Sequence, residues 1–187
     1  MAQFLDFQTN WIDLVIVGLV VAGLIFGLSQ GLVRQVLTLS ALYVSAVLAL
    51  QYHPLVARLA GQMWPQTDPS SRQMFGLALV FAFSFLVLNL LSYYLYEETH
   101  LSTMAFIDRG GGALGGVIIG WALSAIVVNF LGLSFRFVWG GWETFEIAAQ
   151  TQFNESVLVP ILYSHMPALY DAMRIWLPPG LPSPFLV

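Results

Sequence analysis

Neither cysteine nor lysine occurs anywhere in the 187 residues. The first absence removes disulfides, thiolate nucleophiles and cysteine-ligated metals. The second leaves Arg34, Arg58, Arg72, Arg109, Arg136 and Arg174 as the whole cationic complement, too sparse for a nucleic-acid surface. Charge of both signs is scarce, at 9% of residues, where a soluble domain carries about 25%. The net charge of -4 comes mostly from acids such as Asp6, Asp68, Glu97, Glu98, Glu143, Glu146 and Glu155, which stand outside the long neutral runs and read as solvated loop charges. Also missing is any set of nucleophile, base and orienter, any phosphate-cradling glycine loop and any pair of catalytic acids. His100 with Glu97 and Glu98 lacks the convergent spacing of a metal site. The chain is therefore expected to be no enzyme and to hold no cofactor or metal.

What is abundant is apolar: 58% of residues are hydrophobic, and the mean hydropathy is +0.79. A helix needs roughly 20 mostly apolar residues to cross the hydrocarbon core of a bilayer. Four such windows appear, at about 11–28, 35–52, 73–96 and 110–135. The expected fold is an all-α integral membrane protein with four transmembrane helices in residues 1–136. The second window is short and is followed by Pro54, while Tyr93, Tyr94 and Tyr96 close the third, where amphipathic rings favour the headgroup layer. Residues 62–72, with Pro65, Pro69, Ser70 and Ser71, read as a turn-rich solvent loop. The first window lacks a basic leader and a small-x-small cleavage site, so it is expected to be retained as a span.

Residues 137–187 differ in kind. Trp139 and Trp142 suggest an interfacial anchor, and from Val157 to Leu177 the residues Leu158, Leu162, Met166, Leu169, Met173 and Trp176 recur at steps of three and four. That spacing predicts a C-terminal amphipathic helix, capped by Asn154 or Ser156 and lying on the membrane surface; packing against the bundle's loops is the alternative. Pro178, Pro179, Pro182 and Pro184 then predict an extended tail.

Small residues form stripes within the spans. Gly112, Gly116, Gly120 and Ser124 are four apart, Gly111 and Gly115 widen that face, and Gly23, Gly27 and Gly31 repeat the device in the first span. Close backbone approach is a main source of helix association in lipid, so these faces are expected to meet each other within the bundle or another copy of the chain. Ionisable residues near the membrane are costly and tend to be paired or functional. Alternating spans would place Arg34, Asp108 and Arg109 on one membrane face and Asp13 on the other. An Arg34–Asp108 ion pair clamping two helix entrances follows; unpartnered snorkelling side chains and a substrate or ion site are the alternatives. Asn89 and Asn129 are expected to hydrogen-bond between helices, with a polar translocation path as the alternative.

Trp11-Ile12-Asp13 opening one apolar helix, Gly31-Leu32-Val33-Arg34 opening a second, and Asp108-Arg109 followed by Gly112, Gly116 and Gly120 resemble the motifs of the colicin V production protein (CvpA) family. Asn154-Glu155-Ser156 with Pro160 resembles its tail, so the likeness runs from Trp11 to about Leu177. Gln30 stands where that family commonly has a base, Gln35 where an acid often follows, and Ile119 where an arginine often precedes the last glycine. The resemblance implies a multi-pass protein of the bacterial cytoplasmic (inner) membrane, tied to toxin production or secretion and envelope homeostasis. The expected partners are the lipid bilayer, from the apolar spans, and membrane proteins or a second copy. An accessory subunit of a larger membrane complex and a small transporter or channel are the alternative functions. Fusions to extracytoplasmic proteases in such domains imply both termini outside, yet four of the six arginines would share the face of the termini, against the positive-inside rule. Orientation is open.

Overall fold

The computed structural model describes residues 10–95, 105–135 and 143–176. All of its regular structure is helical: α1 (Trp11–Met63), α2 (Pro69–Leu95), α3 (Ala105–Ser134), α4 (Glu143–Glu155) and α5 (Leu158–Arg174). Three helices, α1, α2 and α3, are long and apolar enough to cross a membrane. The tryptophans at 139 and 142, the proline-rich tail and the 97–100 acid and histidine cluster lie outside the described residues.

Helix α1 contains 53 residues; at 1.5 Å per residue a straight rod of that length would reach about 80 Å, far beyond a hydrocarbon core of about 30 Å. It is not straight. Gly31 sits at φ 80°, ψ 171°, a conformation essentially confined to glycine. The arms before and after it (11–30 and 32–63) run opposite ways along α3. Gly27 meets Gly112, Gly23 meets Gly116, and Leu19 meets Gly120, so one number falls as the other rises. After the break, Leu32 meets Gly111 and Gln35 meets Gly115, while Leu50 and Phe130 share a cluster further along, so both numbers rise. The chain therefore doubles back at Gly31.

The second arm runs on past the expected end near residue 52, through Pro54, to Met63. Proline has no N–H to give the Leu50 carbonyl. The His53 ring Nδ1 lies 3.0 Å from that oxygen, which supplies the missing donor when Nδ1 carries the proton. Helix α2 packs alongside this arm in the opposite direction, its Gly76 against the His53 carbonyl and its Arg72 against Gly61. The expected loop at 62–72 shrinks to 64–68. Asp68 accepts from the Ser70 N–H at 3.0 Å, and the Arg72 guanidinium donates to the carbonyls of Pro65, at 2.9 Å, and Thr67. Side chains thus organise the turn-rich segment that its proline and serine content predicts.

Helix α4 was not anticipated: its sequence is largely polar, and its main concession to burial is Ala149. Helix α5 turns Val159, Leu162 and Met166 inward onto Ile12, Ile16, Ala125 and Val128, and Met173 onto Ala49, Leu50 and Leu77. Leu169 and Trp176, grouped with that apolar face in the sequence, are exposed. Over the rest of the surface, α2 shows Phe83, Leu86 and Leu90 outward. A soluble monomer rarely carries apolar faces of this extent.

Candidate functional site: two carboxylates on foreign helix ends

The α1–α3 contact is backbone against backbone. A Cβ on Gly23 or Gly27 would strike the carbonyl oxygen of Gly116 or Gly112, and a Cβ on Gly112 or Gly116 would strike the carbonyl of Gly27 or Gly23. At Gly120 it would come within 2.6 Å of the Leu19 carbonyl. Ser124 continues the row fully buried, donating to the Gly120 carbonyl at 2.7 Å and reaching the Ile16 carbonyl at 3.5 Å. The two glycine faces thus meet inside one chain, and the structure leaves neither free for a second copy.

At the end of this seam Gly31 and Asp108 come together. Asp108 is 3% exposed, and its Oδ1 accepts from the Leu32 N–H at 2.8 Å. That N–H is one of the unfilled donors at the start of α1's second arm, where the helix dipole also favours negative charge. The approach depends on glycine, since a Cβ on Gly31 would lie 2.8 Å from the Asp108 Cγ. Asp108 thus caps a helix other than its own and seals the reversal.

Arg34, the expected ion-pair partner of Asp108, points elsewhere. Its guanidinium donates to the Ser92 carbonyl at 3.5 Å and lies over the Tyr93 ring, 5.1 Å from the centroid. The Asp108 carboxylate faces the backbone at the turn, whereas Arg34 lies about one helical turn onward and reaches α2 instead, a cation–π contact with a carbonyl anchor. Arg109 is exposed beside Gly110, which has open space around it. Gln30 and Gln35 join across the turn at 3.4 Å, with Gln35 buried against Gly115.

Asp13 repeats the device at the opposite end of α1's first arm. Its Oδ1 accepts from the Ser156 hydroxyl and, at 3.1 Å, from the Leu158 N–H; its Oδ2 accepts from the Val157 N–H at 3.2 Å. The Ser156 hydroxyl oxygen in turn accepts from the Val159 N–H at 3.1 Å. Next to it, the Asn10 carboxamide oxygen accepts from the Ile12 N–H at 2.9 Å while its Nδ2 donates to the Gln152 carbonyl. Asp13 and Ser156, 143 residues apart, therefore form one cap. Sequence reasoning singled out both separately but had no way to join them, and it missed Asn10.

The two deeper amides do not bridge helices. Asn89 donates to the Phe85 carbonyl of its own helix at 2.9 Å. Asn129 is 4% exposed, and its Oδ1 has no hydrogen-bond partner. Among the described residues no three His, Asp or Glu side chains converge on a metal-sized site.

The family model for the colicin V production protein matches residues 12–167. A colicin V production protein homolog of Haemophilus influenzae (strain ATCC 51907 / DSM 11121 / KW20 / Rd) is 25% identical over 150 residues, covering 80% of this chain and 83% of that protein. No solved structure matches.

Proposed function

We propose, from the premise that this chain belongs to the colicin V production protein family, that it is a four-span protein of the bacterial inner membrane. In this reading it supports toxin production or secretion, or envelope homeostasis, through protein contacts rather than catalysis. The observation that carries a scaffold role is where the polar side chains go. Asp13, Asp108, Asn10 and Arg34 are all engaged with backbone groups of this same chain. The direction change at Gly31 supports counting the arms of α1 as two spans, with the bundle in residues 1–136 and an interfacial unit in 137–187. On that arrangement α5 lies at the level where α1 begins, with Ile161 and Leu169 on its outward surface, as an amphipathic helix at the headgroup layer would.

Crosslinking in native membranes followed by purification tests the role. Specific membrane-protein partners are expected; a chain that emerges alone from several mild detergents rules it out. One observation favours a second reading as a small transporter or channel: the buried, unpartnered Asn129 Oδ1. Liposomes holding the purified protein would then show a flux that Asn129→Ala abolishes.

A further inference from the structure

Helices α1 and α3 are interlocked backbone to backbone where Leu19 to Gly31 run against Gly112 to Gly120. Helix α5 is attached quite differently. It touches the bundle through side chains, Val159, Leu162 and Met166 in one apolar cluster and Met173 in a second, and each of its ends is tied by side chains of α1 to main-chain groups. At its start Asp13 holds the Val157 and Leu158 N–H groups. At its finish the Tyr43 hydroxyl donates to the Ala172 carbonyl at 2.8 Å and the Gln51 amide to the Trp176 carbonyl at 2.6 Å. The last two bonds are exposed, as is that to Val157, so water competes for them. Val157, the residue at α5's own cap position, supplies no side-chain hydrogen bond. Asp13 and Ser156 therefore carry the N-terminal capping of α5 between them.

We propose that α4 and α5 form a strap across one end of the bundle, latched by Asp13, and that release of this latch lifts α5 off Ile16 and Val128 while the α1–α3 seam stays closed. Asp13 is a positioning residue here, acting through the helix start it holds. The proposal goes beyond the secretion or envelope reading and does not depend on it. Burial differs sharply across the strap: Leu162 is 0% exposed beneath it, while Ile161 on its outer side is 42% exposed, so lifting would change the accessibility of Leu162 far more than that of its neighbour.

The absence of native cysteine makes a direct test practicable. Leu162→Cys and, separately, Val159→Cys are placed in the full chain in permeabilised membranes, with Asp13 intact, as Asp13→Asn or as Asp13→Ala, and N-ethylmaleimide labelling is timed. Ser45→Cys, fully buried in α1's second arm and outside the cluster that Val159 and Leu162 join, reports loss of the whole fold. The expected result is slow labelling of both strap cysteines with Asp13 intact, at least tenfold faster labelling with Asp13→Ala, an intermediate rate with Asp13→Asn, and Ser45→Cys unchanged. Equal rates in all three backgrounds, whether fast or slow, overturn the proposal. So does a Ser45→Cys rate that rises in step with the strap cysteines, because Asp13 would then be supporting the bundle as a whole.

Discussion

At residue scale the Gly31–Asp108 contact combines two costs that a substitution would expose. Gly31→Ala would hold a side chain at φ 80°, a strain of about 1–3 kcal/mol, and would also drive Cβ into the Asp108 carboxylate. Asp108→Ala leaves the half-buried Leu32 N–H without its acceptor, at about 1–3 kcal/mol, whereas Asp108→Asn keeps an oxygen and gives up mainly the charge–dipole part, about 0.3–1 kcal/mol. Denaturant titration in mild detergent should therefore rank Gly31→Ala as the least stable, then Asp108→Ala, then Asp108→Asn. The Gln30–Gln35 contact makes a separate prediction, since it sets two neutral amides where the family resemblance leads one to expect a base and an acid. Gln35→Glu alone buries an unpaired carboxylate and destabilises; adding Gln30→Arg should recover stability, with a coupling between the two of about 1 kcal/mol or more.

At element scale the glycines divide by what surrounds them. Gly112 and Gly116 have a neighbouring carbonyl where a Cβ would stand, while Gly18 and Gly110 have nothing within 4 Å. Gly116→Ala should separate α1 from α3 and lower the unfolding midpoint. Gly18→Ala and Gly110→Ala should raise stability by about 0.5–1 kcal/mol, because alanine improves helix propensity without a clash. The same division explains what could be read from the chain before its structure. Four-residue glycine spacing announced a smooth face, since helical periodicity depends only on local order. It left both an internal and an intermolecular partner open, because periodicity is silent on which helix answers. The Arg34–Asp108 pairing failed for a related reason: placing both residues on one membrane face fixes depth but not the direction a side chain takes around the helix axis. Helix α4 escaped notice because its stability comes from contacts such as Asn10 to Gln152 and Phe153 against Phe135, 5.4 Å between ring centres, rather than from an apolar period of its own.

At the scale of the whole molecule, the decisive feature is that one helical stretch, Trp11–Met63, contains a reversal. Residues 11–63 are helical on both sides of Gly31 with no loop between the arms, while the opposed registers of those arms along α3 give the stretch two directions. The consequence is a grouping of surface positions that does not depend on which way the protein faces. Ser29, by the Gly31 turn, and Gly110, near Asp108, belong to one end of the bundle; Thr67, in the 64–68 loop, and Thr151, in α4, belong to the other. All four are exposed. Single cysteines at these positions, labelled by a membrane-impermeant maleimide on spheroplasts and on inverted vesicles, should sort into the pairs Ser29→Cys with Gly110→Cys and Thr67→Cys with Thr151→Cys, each reactive in the preparation where the other is protected. If Ser29→Cys labels together with Thr67→Cys, the arms of α1 do not cross the bilayer separately and the four-span reading is wrong.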